Sequence, residues 1–147
     1  MGGMVLLIGR VVFSFFFIYS GFNHLTKLSM YSQYAGASGV PAPTLLTALS
    51  GLMLLAGGVS ILLGVKAQWG SLLIAAFLIP AAFIVHKFWG IADPMMAANQ
   101  AAQFWKNISL TGACLMFYGL ATLYPGRWPY SIGRSAGGLG GGAATTI

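Results

Sequence analysis

TLLTALSGLMLLAGGVSILLGV, residues Thr44–Val65, carries no charged side chain. A helix needs about 20 predominantly apolar residues to cross the hydrocarbon core of a bilayer. This stretch is long enough, and its apolar residues run on rather than alternate. A half-buried strand would alternate with period two, so the segment reads as a transmembrane helix. Inside lipid the backbone must satisfy its own hydrogen bonds, which favours the same conformation.

Three further runs have the same character. Met4–Phe22 is apolar except for Arg10, Ala67–Val85 follows the tight turn at Lys66, and Asn107–Tyr124 lies toward the C-terminus. The expected fold is all-α, a four-helix transmembrane bundle over residues 1–124, followed by a flexible Pro/Gly-rich tail over 125–147. Met4–Phe22 lacks a basic start and a small-residue cleavage site, so it is expected as a retained helix rather than a signal peptide.

The composition agrees. The 147 residues include seven Lys/Arg, one Asp and no Glu, and 58% are apolar; the mean hydropathy is +0.84. An ordinary soluble domain has about 25% charged residues, whereas this chain has 5%. The basic residues are scattered singly at the ends of apolar runs, as at membrane boundaries, and no cluster could follow a phosphate backbone. Nucleic acid is excluded as a partner. The expected partners are membrane lipids and other membrane-protein subunits or a second copy of the chain. Cys114 is the sole cysteine, which excludes an internal disulfide or dithiol centre.

An N-terminus inside places Arg10, Lys66, Arg127 and Arg134 on the cytoplasmic side. Lys27, Lys87 and Lys106 then lie outside. This count favours both termini in the cytoplasm and a cytoplasmic-membrane location. His24 to Pro43 forms a first loop, with Met30–Tyr34 as a short amphipathic turn among the headgroups. His86 to Lys106 forms a long third loop. Pro80 removes a backbone bond to Ala76 and is expected to kink the third helix. Ala56, Ser60 and Gly64, spaced by four, are the expected helix-packing face.

The first and third helices cross in the same direction, so His24 and His86 fall at one membrane face. The third loop adds Trp89, Asp93, Gln100 and Lys106, with Asn107 at its end. These seven residues are the candidate ligand site. The two histidines read either as interfacial hydrogen-bonding groups or as partners for the carbonyl of a quinone. Two histidines without a Cys or carboxylate cluster make a poor metal set, so no metal is expected. Asp93 is the sole carboxylate, which excludes a carboxylate pair for acid–base work. It reads as a helix cap before Pro94, as a partner for Lys106, Lys87 or His86, or as both. Arg10 is an intramembrane charge. It either snorkels to the headgroups or makes a polar contact inside the bundle or with another subunit.

The chain resembles the DoxX family of small prokaryotic membrane proteins. The resemblance is carried by His86-x-Phe88-Trp89, Asp93-Pro94, Asn99-Gln100 and Phe104-Trp105-Lys106-Asn107 before Gly112. It is also carried by Arg10, Ser20-Gly21-Phe22, Gly39-x-Pro41, Gly51, Gly57-Gly58 and Gly64. It spans roughly residues 5–122 and implies the same four-helix layout. Family members often carry Glu where this chain has Leu54, and many have Lys where it has His24. The resemblance implies a link to quinone oxidoreduction. On a quinone-linked reading of the residues, His24, His86, Trp89, Asp93 and Lys106 form an outer-face pocket, with His86 bonding a quinone carbonyl, Asp93 fixing or protonating it and Trp89 stacking on the ring. No covalent cofactor is expected; a quinone is the candidate ligand. The expected role is a non-catalytic accessory subunit of a larger membrane complex, with a quinone-interacting oxidoreductase subunit as the alternative. A small-solute carrier is a weaker third.

Overall fold

The computed structural model describes residues 1–125 and 128–132. The Gly137–Gly142 run of the expected tail lies outside the described residues. The described chain is all-α. It consists of α1 (Gly2–Thr26), α2 (Leu28–Ala37), α3 (Pro43–Leu63), α4 (Ala67–Pro80), a π-helical turn at Ala81–Val85, and α5 (Pro94–Leu123). Three segments are long and apolar enough to cross a membrane: Gly2–Thr26, Pro43–Leu63 and Ala67–Val85.

The fourth expected span, Asn107–Tyr124, forms the C-terminal part of a longer helix. α5 is a helix of 30 residues, so it begins well before Asn107 and absorbs most of the expected third loop. Its N-terminal half carries Asn99, Gln100, Gln103, Lys106 and Asn107, and α5 does not join the three apolar spans. The first loop is also corrected: its middle is a helix of 10 residues, α2, rather than a turn. Pro80 acts near its expected place. The helix widens directly after it, with the His86 N–H donating to the Ala81 carbonyl at 3.0 Å, a bond spanning five residues.

α3 lies at the centre, with α1 packed on one side and α4 on the other, and α5 packs on α4. Phe17, Leu54, Ile61, Ile74, Leu78 and Cys114 are fully buried between them. Glycine sets the close approaches. A Cβ on Gly57 would stand 2.7 Å from Ile74 Cγ1 and 2.8 Å from the Gly70 carbonyl oxygen, and one on Gly21 would stand 2.7 Å from the Gly51 carbonyl oxygen. Neither pair of backbones could lie so close with a side chain between.

The expected packing face is therefore corrected. Ala56 is exposed. Gly64 lies past the end of α3 in the left-handed region, φ 69°, where it caps the helix. Ser60 does meet α4, since its Oγ would be 2.6 Å from a Cβ on Gly70.

Candidate functional site

The two ends of the bundle use polar groups differently. At the end holding the α3 C-terminus, Arg10 is fully buried. Its Nε donates to the Ile61 carbonyl at 3.0 Å, Nη2 to the Leu62 carbonyl, and Nη1 to the Pro129 carbonyl at 2.7 Å. Trp128 covers the guanidinium at 5.4 Å. The last four carbonyls of a helix lack partners within it. Here Ser60 is served by the Val65 N–H, Leu63 by the Ile132 N–H, and Ile61 and Leu62 by Arg10. The guanidinium also sits where the helix dipole is negative. Arg10 thus makes the internal polar contact rather than snorkelling, and Trp128–Ile132 of the expected tail packs on the bundle.

The opposite end holds a cavity of about 780 Å³ between α1, α2, α3, α4 and α5. Its walls include Phe16, Phe17, Met53, Phe77 and Ile84, and its polar lining includes His24, His86, Gln100, Gln103, Lys106 and Asn107. The crossing directions of α1 and α4 bring the two histidines together at this end, as the topology requires.

His24 ends α1 between the rings of Tyr31 at 4.6 Å and Phe77 at 5.7 Å. Its Nδ1 meets Ser50 Oγ at 2.8 Å, and that hydroxyl donates to the Thr47 carbonyl at 2.8 Å. His86 ends the π-helical turn. Its Nδ1 meets Gln100 Oε1 at 2.9 Å, and Gln100 Nε2 donates to Tyr34 Oη at 3.1 Å. This chain ties α2 and α5 across the cavity. Burial holds the His86 imidazole below the usual histidine range. The nearby Lys106 charge pushes it further down, and the Gln100 bond opposes both. Lys106 Nζ donates to Gln103 Oε1 and lies 5.7 Å from the Phe16 ring, so it bridges α5 to α1.

Two candidates fall elsewhere. Asp93 caps α5, its Oδ1 accepting the Met96 N–H at 2.6 Å, with Pro94 at the first helical position. Trp89 packs against Phe88 at 5.5 Å and Phe104 at 5.9 Å. Neither lines the cavity, so the expected roles of Asp93 as proton source and Trp89 as stacking face do not fit this site. The cavity instead recruits Tyr31, Tyr34, Thr47 and Ser50, which sequence reasoning passed over. One signal for the two tyrosines was available: Tyr31 and Tyr34 are three apart, on one face of a helix.

A family model described as DoxX matches residues 5–87, more than half of the chain. The match ends short of the expected residue 122. Asn99-Gln100 and Phe104-Trp105-Lys106-Asn107 lie beyond it, and of these Asn99, Gln100, Lys106 and Asn107 line the cavity. No curated protein and no solved structure matches the chain.

Proposed function

The chain belongs to the DoxX family of small membrane proteins, and from that premise we propose that its cavity binds the ring of a lipid-soluble quinone-class ligand. On this reading the protein is the quinone-binding membrane subunit of a larger oxidoreductase in a prokaryotic cytoplasmic membrane. The cavity faces the outer side, and a partner subunit exchanges electrons with the ligand.

The observation that carries the reading is the pair of histidines lining one apolar-walled cavity of about 780 Å³. Small-molecule sites span roughly 300–1,000 Å³, with mostly apolar walls and a few placed polar groups. The aromatic walls suit a flat ring, and His24, His86 and Lys106 supply the polar contacts.

The test is purification in mild detergent followed by mass spectrometry of retained lipids and subunits. The expected result is a quinone retained by the wild-type protein and lost in His86→Ala. A wild-type protein that retains neither quinone nor quinol, and is stabilised by neither added decylubiquinone nor its reduced quinol, overturns the reading.

A second reading, a non-catalytic accessory subunit, is favoured by the exposed aromatic row on α1. Phe15 and Tyr19 stack at 6.3 Å, and Phe22 stands exposed one turn on. Stoichiometric recovery in a complex whose electron transfer is unchanged by His86→Ala would support it.

A further inference from the structure

We infer that the cavity selects a ring bearing hydroxyl groups, the dihydroxy form of a quinone-class ligand, over its carbonyl-only oxidised form, and that Ser50 is a positioning residue for this selectivity. The inference rests on the proposed ligand class and adds which redox form the site takes.

A serine hydroxyl has a single proton to donate. Ser50 Oγ gives it to the Thr47 carbonyl at 2.8 Å, so toward His24 it can only accept. His24 Nδ1, 2.8 Å away, must carry a proton. In a neutral imidazole one nitrogen donates and the other accepts. His24 therefore presents Nε2 as a bare lone pair.

His86 reaches the same state by another route. Gln100 spends its Nε2 on Tyr34 Oη at 3.1 Å, which turns Oε1 to His86 Nδ1 at 2.9 Å. That oxygen is an acceptor only, so Nδ1 carries the proton and Nε2 does not. Burial favours the neutral ring here. Neither Nε2 has a hydrogen-bond partner among the described residues, and both rings line the cavity.

Two acceptors await a donor. A quinone carbonyl is also an acceptor and leaves both lone pairs unmatched. A quinol hydroxyl donates to them. The donors in the same cavity do not cancel this preference, because a hydroxyl accepts from Lys106 Nζ as well as a carbonyl does. A site built around a ligand hydroxyl discriminates strongly against the analogue without it.

The experiment uses the full chain in lipid nanodiscs, titrated anaerobically with decylubiquinone and with its dithionite-reduced quinol, binding being read by calorimetry. The quinol is expected to bind at least about tenfold tighter. In Ser50→Ala the constraint on His24 is lifted and its Nε2 is free to carry the proton. The quinol-to-quinone affinity ratio is then expected to fall toward one. A merely structural role for Ser50 would weaken both ligands together and leave the ratio alone. Equal or tighter quinone binding by the wild type, or an unchanged ratio in Ser50→Ala, overturns the inference while the quinone-class reading stands. Binding of neither form overturns that reading and this inference with it.

Discussion

The Arg10 end and the histidine end of the bundle are built from the same scarce material, a few polar groups in apolar surroundings. At the Arg10 end the guanidinium's capacity is consumed internally, while Ser131 Oγ beside Gly64 is buried without a hydrogen-bond partner among the described residues. The guanidinium meets three carbonyls and a tryptophan face, and the last four carbonyls of α3 all have donors. At the histidine end capacity is left over: each imidazole uses one nitrogen, and both rings line a cavity. A buried polar group that is fully satisfied holds a fold together. One that is half-satisfied beside a cavity is available to a ligand. The difference separates the architectural role of the guanidinium from the binding capacity of the two imidazoles.

The largest effect is expected where the comparison assigns architecture. Arg10→Met would strand the Leu62 and Pro129 carbonyls and remove a guanidinium packed under Trp128. Hydrogen bonds to charged groups contribute about 1.5–3 kcal/mol each, so a loss of about 3 kcal/mol or more is expected in detergent unfolding. Arg10→Lys should recover only part, since an ammonium lacks the planar fork that reaches three acceptors at once. A stability within about 0.5 kcal/mol of wild type in Arg10→Met would break the comparison, placing the clasp among contacts without consequence.

The glycine seam is next. It joins the two ends, and its geometry belongs to the architecture. Gly57→Ala places a methyl 2.7 Å from Ile74 Cγ1 and 2.8 Å from the Gly70 carbonyl oxygen. Ile74 has rotamers to move into, but the backbone oxygen does not, and overpacking of this kind costs about 1–3 kcal/mol. Gly112 is the control: it is exposed on α5 with nothing within 4 Å of its added Cβ. Gly112→Ala should be neutral or stabilising by up to about 1 kcal/mol from helix propensity alone. Equal melting-temperature shifts in the two variants would show that the seam is not tightly packed.

The two ends were not equally legible in the sequence. Unbroken hydropathy marked α1, α3 and α4, and the parity of membrane crossings placed His24 and His86 together. Spacing by four could not separate Gly57 and Gly58 from Ala56, Ser60 and Gly64, because every one of these residues is small. Only the partner helix decides which of them lies at the contact. The partners of Arg10 were invisible because they are backbone carbonyls, one of them in the distant Pro129.

The N-terminal half of α5 reads as a connection in sequence because a polar run beside a membrane resembles a loop. Yet Asn99, Gln100, Gln103, Lys106 and Asn107 fall at helical spacing on one face, and Asp93-Pro94 is a helix start. The polar face of α5 is turned to the cavity, so its hydrophilicity marks the site rather than a connection. Ser50, a lone hydroxyl inside an apolar helix, gives no sign in sequence that it fixes the tautomer of a ring on α1.

The smallest expected effect tests whether the histidine end titrates. His86 is held below its ordinary range, first by burial and then by Lys106. As pH falls through about 6.5, the ordinary histidine value, the unfolded chain takes up a proton that the folded chain still refuses. Stability rises with pH wherever the unfolded state binds more protons. The His86 contribution is therefore complete above about pH 6.5, declines as pH falls toward the depressed folded value, and levels off below it. His86→Gln removes this dependence and leaves an amide able to bond Gln100. Subtracting its stability profile from that of wild type, between about pH 7.5 and about pH 5, isolates the contribution of one imidazole while His24 titrates alike in both. A difference that declines on acidification locates spare, desolvated capacity at the cavity. Parallel profiles would mean that His86 is as well solvated as a surface histidine, and the distinction between the two ends would then rest on Arg10 alone.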